Sequence, residues 1–190
     1  MKALLKSISE CNECAAHLPL GPNPILTAHS KSKIIIIGQA PGLAVHKSSI
    51  PWDDKSGDNL RAWLQLSKTD FYNPEKVALL PMGFCYPGRG KSGDLPPRKE
   101  CAPLWHHKVL NLIENAELTV LIGKYAQDYY LGKTAKKTLT DTVKNFRDYQ
   151  PNYLVLPHPS PRNNIWKAKN QWFEQEVIPI ARQTVSNLQL

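Results

Sequence analysis

Four short apolar segments recur along the chain, and helix-like segments separate them. They occupy residues 33–38, 77–80, 118–123 and 153–156, and they consist mainly of isoleucine, valine and leucine. Continuous apolar runs of this length predict strands that are buried on both faces, as parallel strands are. We therefore expect an α/β fold with three layers, α/β/α, around a central, mainly parallel four-stranded sheet.

Helical patterns fill the intervals between these strands. We predict helices over 58–66, 98–115, 124–131 and 165 to about 184. A length of 190 residues is typical of one domain, so residues 1–190 are predicted to form a single domain. No apolar run approaches the roughly 20 residues that a membrane helix needs, and the apolar start of the chain is too short for a signal peptide. We expect a cytoplasmic protein with no membrane partner.

The charge balance favours an acidic partner. The chain has 24 Lys and Arg against 16 Asp and Glu, a formal net charge of +8. A small domain this basic tends to bind nucleic acid. The alternative is that the same net charge only keeps the surface soluble. The basic residues gather in three groups rather than in one run. These groups are Arg89, Lys91, Arg98 and Lys99; Lys133, Lys136 and Lys137; and Arg162, Lys167 and Lys169.

The four cysteines predict a metal site. Cys11 and Cys14 form a C-x-x-C pair, and Cys85 and Cys101 follow with 15 residues between them. Disulfides are rare in the cytosol, so four cysteines that include one close pair indicate thiolate ligands, either to zinc or to an iron–sulfur cluster. The alternative is a set of unrelated buried cysteines with one redox-active pair.

The segment between Cys85 and Cys101 is rich in proline, glycine and basic residues. This composition predicts a long loop rather than a helix or a strand. A metal that held both ends would reduce the conformational entropy of residues 86–100. We therefore expect a loop that is pinned by the metal site.

The loops after the first and last predicted strands carry the residues expected at a ligand site. In an open parallel sheet, ligands bind beyond the carboxyl ends of the strands, so we expect both loops there, side by side. Glycines let backbone amides approach a ligand, while histidine, serine and arginine supply donors for a base or a phosphate. The first loop is Gly38, Gln39, Ala40, Pro41 and Gly42, and the second is His158, Pro159, Ser160, Pro161, Arg162 and Asn163.

These two loops resemble the two signature motifs of the uracil-DNA glycosylase superfamily. The cysteines are similar in order to those of its iron–sulfur members: a C-x-x-C pair near the N-terminus, one cysteine that ends a strand and one after a Pro-rich basic loop. Residues 50–60, which include Trp52, resemble the segment whose aromatic residue stacks on a flipped base. The two loops, the cysteines and the segment 50–60 occur in the order found in the superfamily, so the resemblance extends over nearly the whole chain.

The resemblance implies a monomeric DNA repair enzyme that hydrolyses the N-glycosidic bond of a flipped, deaminated base, with uracil as the first candidate. It implies that His158 donates to the departing base, that Trp52 stacks on the base and that Ser160 holds a phosphate. In the first loop, backbone amides would contact the edge of the base; the residues concerned are Gly38, Ala40, Pro41 and Gly42. Pro161, Arg162 and Asn163 would also bind DNA: Arg162 would enter the groove or fill the gap, in a loop that Pro159 and Pro161 stiffen. A [4Fe–4S] cluster on Cys11, Cys14, Cys85 and Cys101 would pin residues 86–100 against the DNA.

Two positions depart from the pattern of the superfamily. Many members carry Asp, Asn or Glu in the first motif to activate or orient the attacking water, where this chain has Gln39 and Ala40. An amide can orient a water but cannot act as a general base, and Asp53 is the nearest carboxylate in sequence. The iron–sulfur members read uracil with an Asn four residues before the third cysteine, where this chain has Pro81. The expected catalytic residues are therefore His158, Gln39 and Asp53.

These departures leave other functions open. The target could be another deaminated base such as hypoxanthine, or the chain could be a catalytically inert nucleic-acid-binding member of the same fold. An enzyme acting on free nucleotides would use the same loops but would not need three groups of basic residues. Zinc is the alternative to the cluster, and colour separates the two, because iron–sulfur proteins are brown and zinc proteins are colourless.

Overall fold

One parallel sheet forms the centre of the molecule. The computed structural model describes residues 1–190. The strands are β1 (Ile34–Ile37), β2 (Val77–Leu79), β3 (Leu118–Ile122) and β4 (Tyr153–Leu156), in the spatial order β2-β1-β3-β4. All neighbouring strands are parallel. The predicted central sheet of four strands is confirmed.

Nine helices pack on this sheet and complete a three-layer α/β/α arrangement. None of them combines the length and apolar character that crossing a bilayer requires. They are α1 (Lys2–Ser9), α2 (Leu43–Ser48), α3 (Lys55–Leu64), α4 (Lys68–Phe71), α5 (Cys101–Leu110), α6 (Gly123–Leu131), α7 (Leu139–Lys144), α8 (Asn164–Lys169) and α9 (Ile178–Ser186).

The strands supply the centre of the hydrophobic core. In β1 the four isoleucines are at most 4% exposed, because helices cover both faces of the sheet. The register places Ile36 beside Leu79 of β2 on one side and beside Val120 of β3 on the other. Each fully buried side chain of this kind contributes roughly 1.5–3 kcal/mol of transfer free energy, so the sheet is fixed firmly beneath the loops at its edge.

Two helices begin or end away from their predicted positions. Helix α3 starts three residues earlier than predicted because Asp54 caps it: the Asp54 carboxylate accepts a hydrogen bond from the Gly57 backbone N–H at 2.9 Å. It ends at Leu64, where Gln65 adopts a left-handed conformation with φ of 55°. The helix predicted over 98–115 is shorter, and α5 begins only at Cys101.

The helix predicted over 165–184 is not continuous. Helix α8 ends at Lys169, a π-helical turn spans Phe173–Val177, and α9 follows. At the break the Asn170 side-chain amide donates to the backbone carbonyl of Trp166 at 2.8 Å. Asparagine side chains compete in this way with backbone hydrogen bonds, so the amphipathic pattern predicted the helical content but not the interruption.

The strand order creates a crevice at one edge of the sheet. From β1 the chain continues to β2 on one side, and later to β3 on the other. Ligands of open α/β sheets bind at such a switch point, beyond the carboxyl ends of the strands. Helix α6 begins at Gly123, directly after β3, so no loop covers the end of this strand. The space there is bordered by the loops that follow β1 and β4.

Candidate active site

The two loops meet at a cavity of about 430 Å³, called the main cavity below. The strands that carry them, β1 and β4, are separated by β3. Nine of the twelve predicted non-cysteine site residues nevertheless line the main cavity. These nine are Gln39, Ala40, Pro41, Gly42, Trp52, His158, Ser160, Arg162 and Asn163. Gly38, Asp53 and Pro161 are not among the lining residues.

The first loop is held close to the aromatic wall of the main cavity. Gly38 is buried, and a Cβ at this position would lie 2.6 Å from the ring atom Cζ2 of Trp52. The carbonyl oxygens of Gly38 and Gln39 accept hydrogen bonds from the backbone N–H groups of Met82 and Gly83, at 2.9 and 3.0 Å. Glycine is therefore required at position 38 so that the Trp52 ring can pack against the loop.

Trp52 is fixed in an uncommon backbone conformation. Its φ is 58°, in the left-handed region that non-glycine residues rarely adopt. Its carbonyl accepts a hydrogen bond from the Tyr72 hydroxyl at 3.2 Å, and that hydroxyl accepts one from Arg61 Nη1 at 3.2 Å. The Trp52 ring lies 5.8 Å from the His158 ring with 31° between the planes. The main cavity therefore has an aromatic face beside a histidine.

The second loop holds His158 in one tautomer. The Ser160 backbone N–H donates to His158 Nδ1 at 3.2 Å, so the neutral ring carries its proton on Nε2. Nε2 has no hydrogen-bond partner within the chain, which leaves this N–H for a ligand. The His158 carbonyl accepts from Asn163 Nδ2 at 2.7 Å, and the Pro159 carbonyl accepts from Asn59 Nδ2 at 2.8 Å.

His158 is neutral at pH 7. Burial lowers the pKa of the ring below its usual value because it disfavours the cation, and the carboxylates of Asp54 and Asp94 only partly oppose this effect. A neutral imidazole with a free N–H can donate to an atom that gains negative charge during a reaction. The arrangement can therefore stabilise an anionic leaving group.

The segment between Cys85 and Cys101 forms a small hairpin at the mouth of the main cavity. The Leu95 backbone N–H donates to the Gly88 carbonyl at 2.9 Å. At the tip, a Cβ at Gly93 would lie 2.8 Å from Nη1 of Arg162, so the two loops touch. Gly93 and the next residue, Asp94, line the main cavity. We call residues 88–95 the tip hairpin.

Asp53, the carboxylate expected to act in catalysis, does not line the main cavity. Asp53 is exposed and is not among the lining residues, whereas its neighbour Asp54 and the more distant Asp94 both line it. Asp54 caps helix α3 through Gly57. The Asp94 carboxylate has no hydrogen bond or ion pair within the chain, although its Oδ2 approaches the Gly42 backbone.

The four cysteines line a second cavity, called the thiol cavity below. All four are free thiols. Burial raises the pKa of Cys101 to about 12, and the Phe84 backbone N–H that donates to its sulfur at 3.3 Å opposes this only in part. No three His, Cys, Asp or Glu side chains of the chain are close enough together to hold a metal ion. The four thiols therefore share one cavity.

Three buried polar atoms around the thiol cavity have no hydrogen-bond partner. They are Arg98 Nε, Glu100 Oε2 and Trp105 Nε1, and all three residues line the cavity. Two of these atoms are N–H donors, and buried donors are normally paired. Four thiols and two unpaired donors fit an occupant that is negatively charged or rich in acceptors.

The family comparison covers most of the chain. Residues 25–182 match the family model described as the Uracil DNA glycosylase superfamily. This chain belongs to the uracil-DNA glycosylase superfamily. Members of this superfamily are usually DNA N-glycosylases, so membership indicates an enzyme of DNA repair that acts on DNA. The match contains both loops, Trp52, Cys85 and Cys101, and it begins after Cys11 and Cys14.

Pro81 lines the main cavity but offers it no hydrogen bond from its backbone. Proline lacks an N–H, and its carbonyl accepts from His106 Nε2 at 3.0 Å. His106 Nδ1 accepts in turn from the Tyr130 hydroxyl at 2.6 Å, and burial lowers the pKa of His106 to about 4. In this member of the uracil-DNA glycosylase superfamily, Pro81 therefore offers a ligand in the main cavity no backbone hydrogen bond.

Several residues of the site could not be found from the family motifs. Arg61, inside α3, and Tyr72, directly after α4, hold the Trp52 backbone, and neither carries a recognisable signal in the sequence. Asp94 has a weak signal, because it is the one acidic residue between Cys85 and Cys101 apart from Glu100. Asp54 precedes a helix, which indicates a cap and not a cavity residue.

The three basic groups are partly neutralised. Arg98, Lys136 and Lys167 each pair with a carboxylate, at 2.7, 2.7 and 3.7 Å. The exposed Arg162 at the main cavity has no such partner, since no ion pair includes it. Its guanidinium is therefore free to bind a phosphate or to contact stacked base pairs.

Proposed function

We propose that this chain hydrolyses the bond between deoxyribose C1′ and a flipped, deaminated base in DNA, with uracil as the first candidate. The observation that carries this proposal is a neutral His158, free at Nε2–H, beside the Trp52 ring, with the ring centroids 5.8 Å apart and both residues lining the main cavity. A flipped base needs an aromatic face to replace its lost stacking and a donor to stabilise its negative charge.

The proposed reaction breaks the bond from C1′ to the base nitrogen, and both electrons of that bond leave with the base. His158 Nε2–H would donate to the carbonyl oxygen on which the negative charge develops. Charge also builds on the sugar, which becomes oxocarbenium-like as in glycoside hydrolysis. Gln39, which lines the main cavity, would orient the attacking water through its side-chain amide.

The residues around the mouth would hold the DNA. Arg162 and the Ser160 hydroxyl border the main cavity, and the tip hairpin contacts the same loop. The unpaired Arg162 would contact a phosphate or fill the gap that the flipped base leaves. Pro161 and Asn163 would shape this loop, since Pro161 starts a short 3-10 turn and Asn163 bonds to the His158 carbonyl.

Base release from short oligonucleotides tests the proposed function. Single- and double-stranded substrates that carry uracil, hypoxanthine or xanthine are incubated with the wild-type chain, and cleavage at the resulting abasic sites is measured. We expect release of at least one deaminated base. If no base is released while salt-sensitive DNA binding persists, the chain is a binding member of the superfamily and the proposal of hydrolysis is wrong.

We further propose that the thiol cavity holds a [4Fe–4S] cluster. Four thiolates can ligate either zinc or such a cluster, but in a zinc site all four sulfurs lie about 2.3 Å from one ion. The two unpaired N–H donors beside the four thiols favour the cluster, whose sulfide atoms accept hydrogen bonds. The unpaired N–H groups at Arg98 Nε and Trp105 Nε1 would donate hydrogen bonds to the cluster, while the Arg98 charge is already paired with Glu100.

Metal analysis of the purified protein tests the cluster. We expect a brown protein with iron and acid-labile sulfide in equal amounts, about four of each per chain. Cys85→Ser should lose the colour, unfold at lower denaturant concentration and bind DNA more weakly, because the tip hairpin is no longer held at one end. Ser92→Ala, in the same segment, is the control. A colourless protein with about one zinc per chain would contradict the prediction.

A further inference from the structure

Asp94 is placed at the main cavity by the tip hairpin. The hairpin is closed by backbone hydrogen bonds from Leu95 to Gly88 at 2.9 Å and from Gly90 to Gly93 at 2.6 Å. Asp94 Oδ2 lies 3.3 Å from the point that a Cβ at Gly42 would occupy. The carboxylate therefore approaches the first loop from the opposite wall, with the main cavity and its histidine beside it.

Asp94 is also the cavity carboxylate with no structural task. Asp54 caps helix α3, and Asp53 does not line the main cavity. The Asp94 side chain has no hydrogen bond and no ion pair within the chain, and its charge acts on His158. The first loop contains no acid, because Gln39 and Ala40 stand where many members of the superfamily carry one.

We propose that Asp94 is the general base of the reaction, supplied by the tip hairpin instead of by the first loop. This inference rests on the proposed function. The water oxygen attacks C1′ and forms the new C–O bond, while the C1′–N bond breaks and its electron pair leaves with the base. The proton that the water loses passes to the Asp94 carboxylate, and the base anion is stabilised by His158 Nε2–H.

The placement explains how a first loop without an acid can remain competent. Gly42 has no side chain, so the Asp94 carboxylate can lie against the backbone of the first loop. Gln39 lines the same cavity, so its amide can position the water while the carboxylate removes the proton. The two functions that one acidic residue would combine are thus divided between an amide and a carboxylate on different segments.

Single-turnover base release by Asp94→Asn tests the proposal, on whichever base the wild type releases. The amide keeps the shape of the side chain but cannot accept a proton, so we expect a rate loss of about 10²-fold or more. Asp54→Asn keeps the helix cap and should lose far less activity. Asp128→Asn, an exposed substitution on α6, is the matched control for the loss of one carboxylate.

Two further readouts separate a catalytic role from a structural one. In Asp94→Ala, added sodium formate should restore part of the lost rate, because a small carboxylate can occupy the vacated position and accept the proton. Affinity of Asp94→Asn for an oligonucleotide with a 2′-fluorinated, uncleavable uridine should be unchanged or higher, because a negative charge beside the phosphates has been removed. A hairpin that had lost its shape would instead bind more weakly.

The possible results distinguish failure of the Asp94 proposal from failure of the proposed function. Wild-type release that Asp94→Asn retains would overturn the role of Asp94 and leave the proposed function intact. The role of Asp94 is overturned in the same way if Asp54→Asn loses more activity than Asp94→Asn, or if formate restores nothing. Absence of release by the wild type would overturn the proposed function, and the role of Asp94 with it.

Discussion

Replacing His158 with alanine is expected to lower the single-turnover rate of base release by a factor of about 10²–10³, the usual effect of removing one donor to a developing anion. The Ser160 backbone N–H fixes the tautomer of His158, so its Nε2–H is directed without any reorganisation during the reaction. Affinity for an uncleavable oligonucleotide should change little, because this donor acts mainly on charge that is present in the transition state.

His107→Ala is the matched control for this prediction. His107 is an exposed histidine on α5 and does not line the main cavity. Its loss should leave the rate of base release unchanged. If His158→Ala and His107→Ala released base at the same rate, the activity would belong to a different group, and the interpretation of His158 as the donor would be wrong.

Replacing Gly57 with alanine is expected to destabilise the protein by about 1–3 kcal/mol, the usual range for an overpacked site, and to abolish most base release. A Cβ at Gly57 would lie 1.8 Å from the Trp52 carbonyl oxygen, which is backbone and cannot move aside without disturbing the segment. That carbonyl also accepts the Tyr72 hydrogen bond that holds Trp52 in its left-handed conformation.

The expected loss of stability in Gly57→Ala is opposite to the usual effect of this substitution in a helix. Gly57 is a helical residue of α3, and an ordinary Gly→Ala change inside a helix stabilises a protein by about 1 kcal/mol. Denaturant unfolding gives the free energy of unfolding, and Lys55→Ala, at an exposed position of the same helix, controls for helix propensity. An increase in stability for Gly57→Ala would mean that the close packing of Trp52 on α3 does not exist.

The sheet was predictable because its signal is local. Runs such as Ile34–Ile37 have to be buried on both faces, and their positions follow from the sequence with an error of one or two residues. The break in the C-terminal helix was not predictable, since the Asn170 side chain that replaces a backbone partner also occurs in unbroken helices. The strand order was not predictable either, because no local pattern says that β3 lies between β1 and β4.

The site was predictable as far as its motifs extend. Both loops and Trp52 were found because each is a contiguous segment with a recognisable pattern. The partners of Trp52 and of Pro81 are more distant: Tyr72 lies 20 residues from Trp52, and His106 lies 25 residues from Pro81. Such contacts depend on packing. For the same reason the sequence indicated Asp53, the nearest acid along the chain, whereas the acids that line the main cavity are Asp54 and Asp94.

Gly123 constrains how the site can diverge among related proteins. It joins β3 to α6 without a loop, its φ is 78°, and a Cβ there would lie 3.6 Å from the His158 side chain. Main chain rather than a side chain therefore lies behind His158, and the positive φ strains any other residue at this position. Relatives built on this junction should keep glycine here, while the residues that line the main cavity vary.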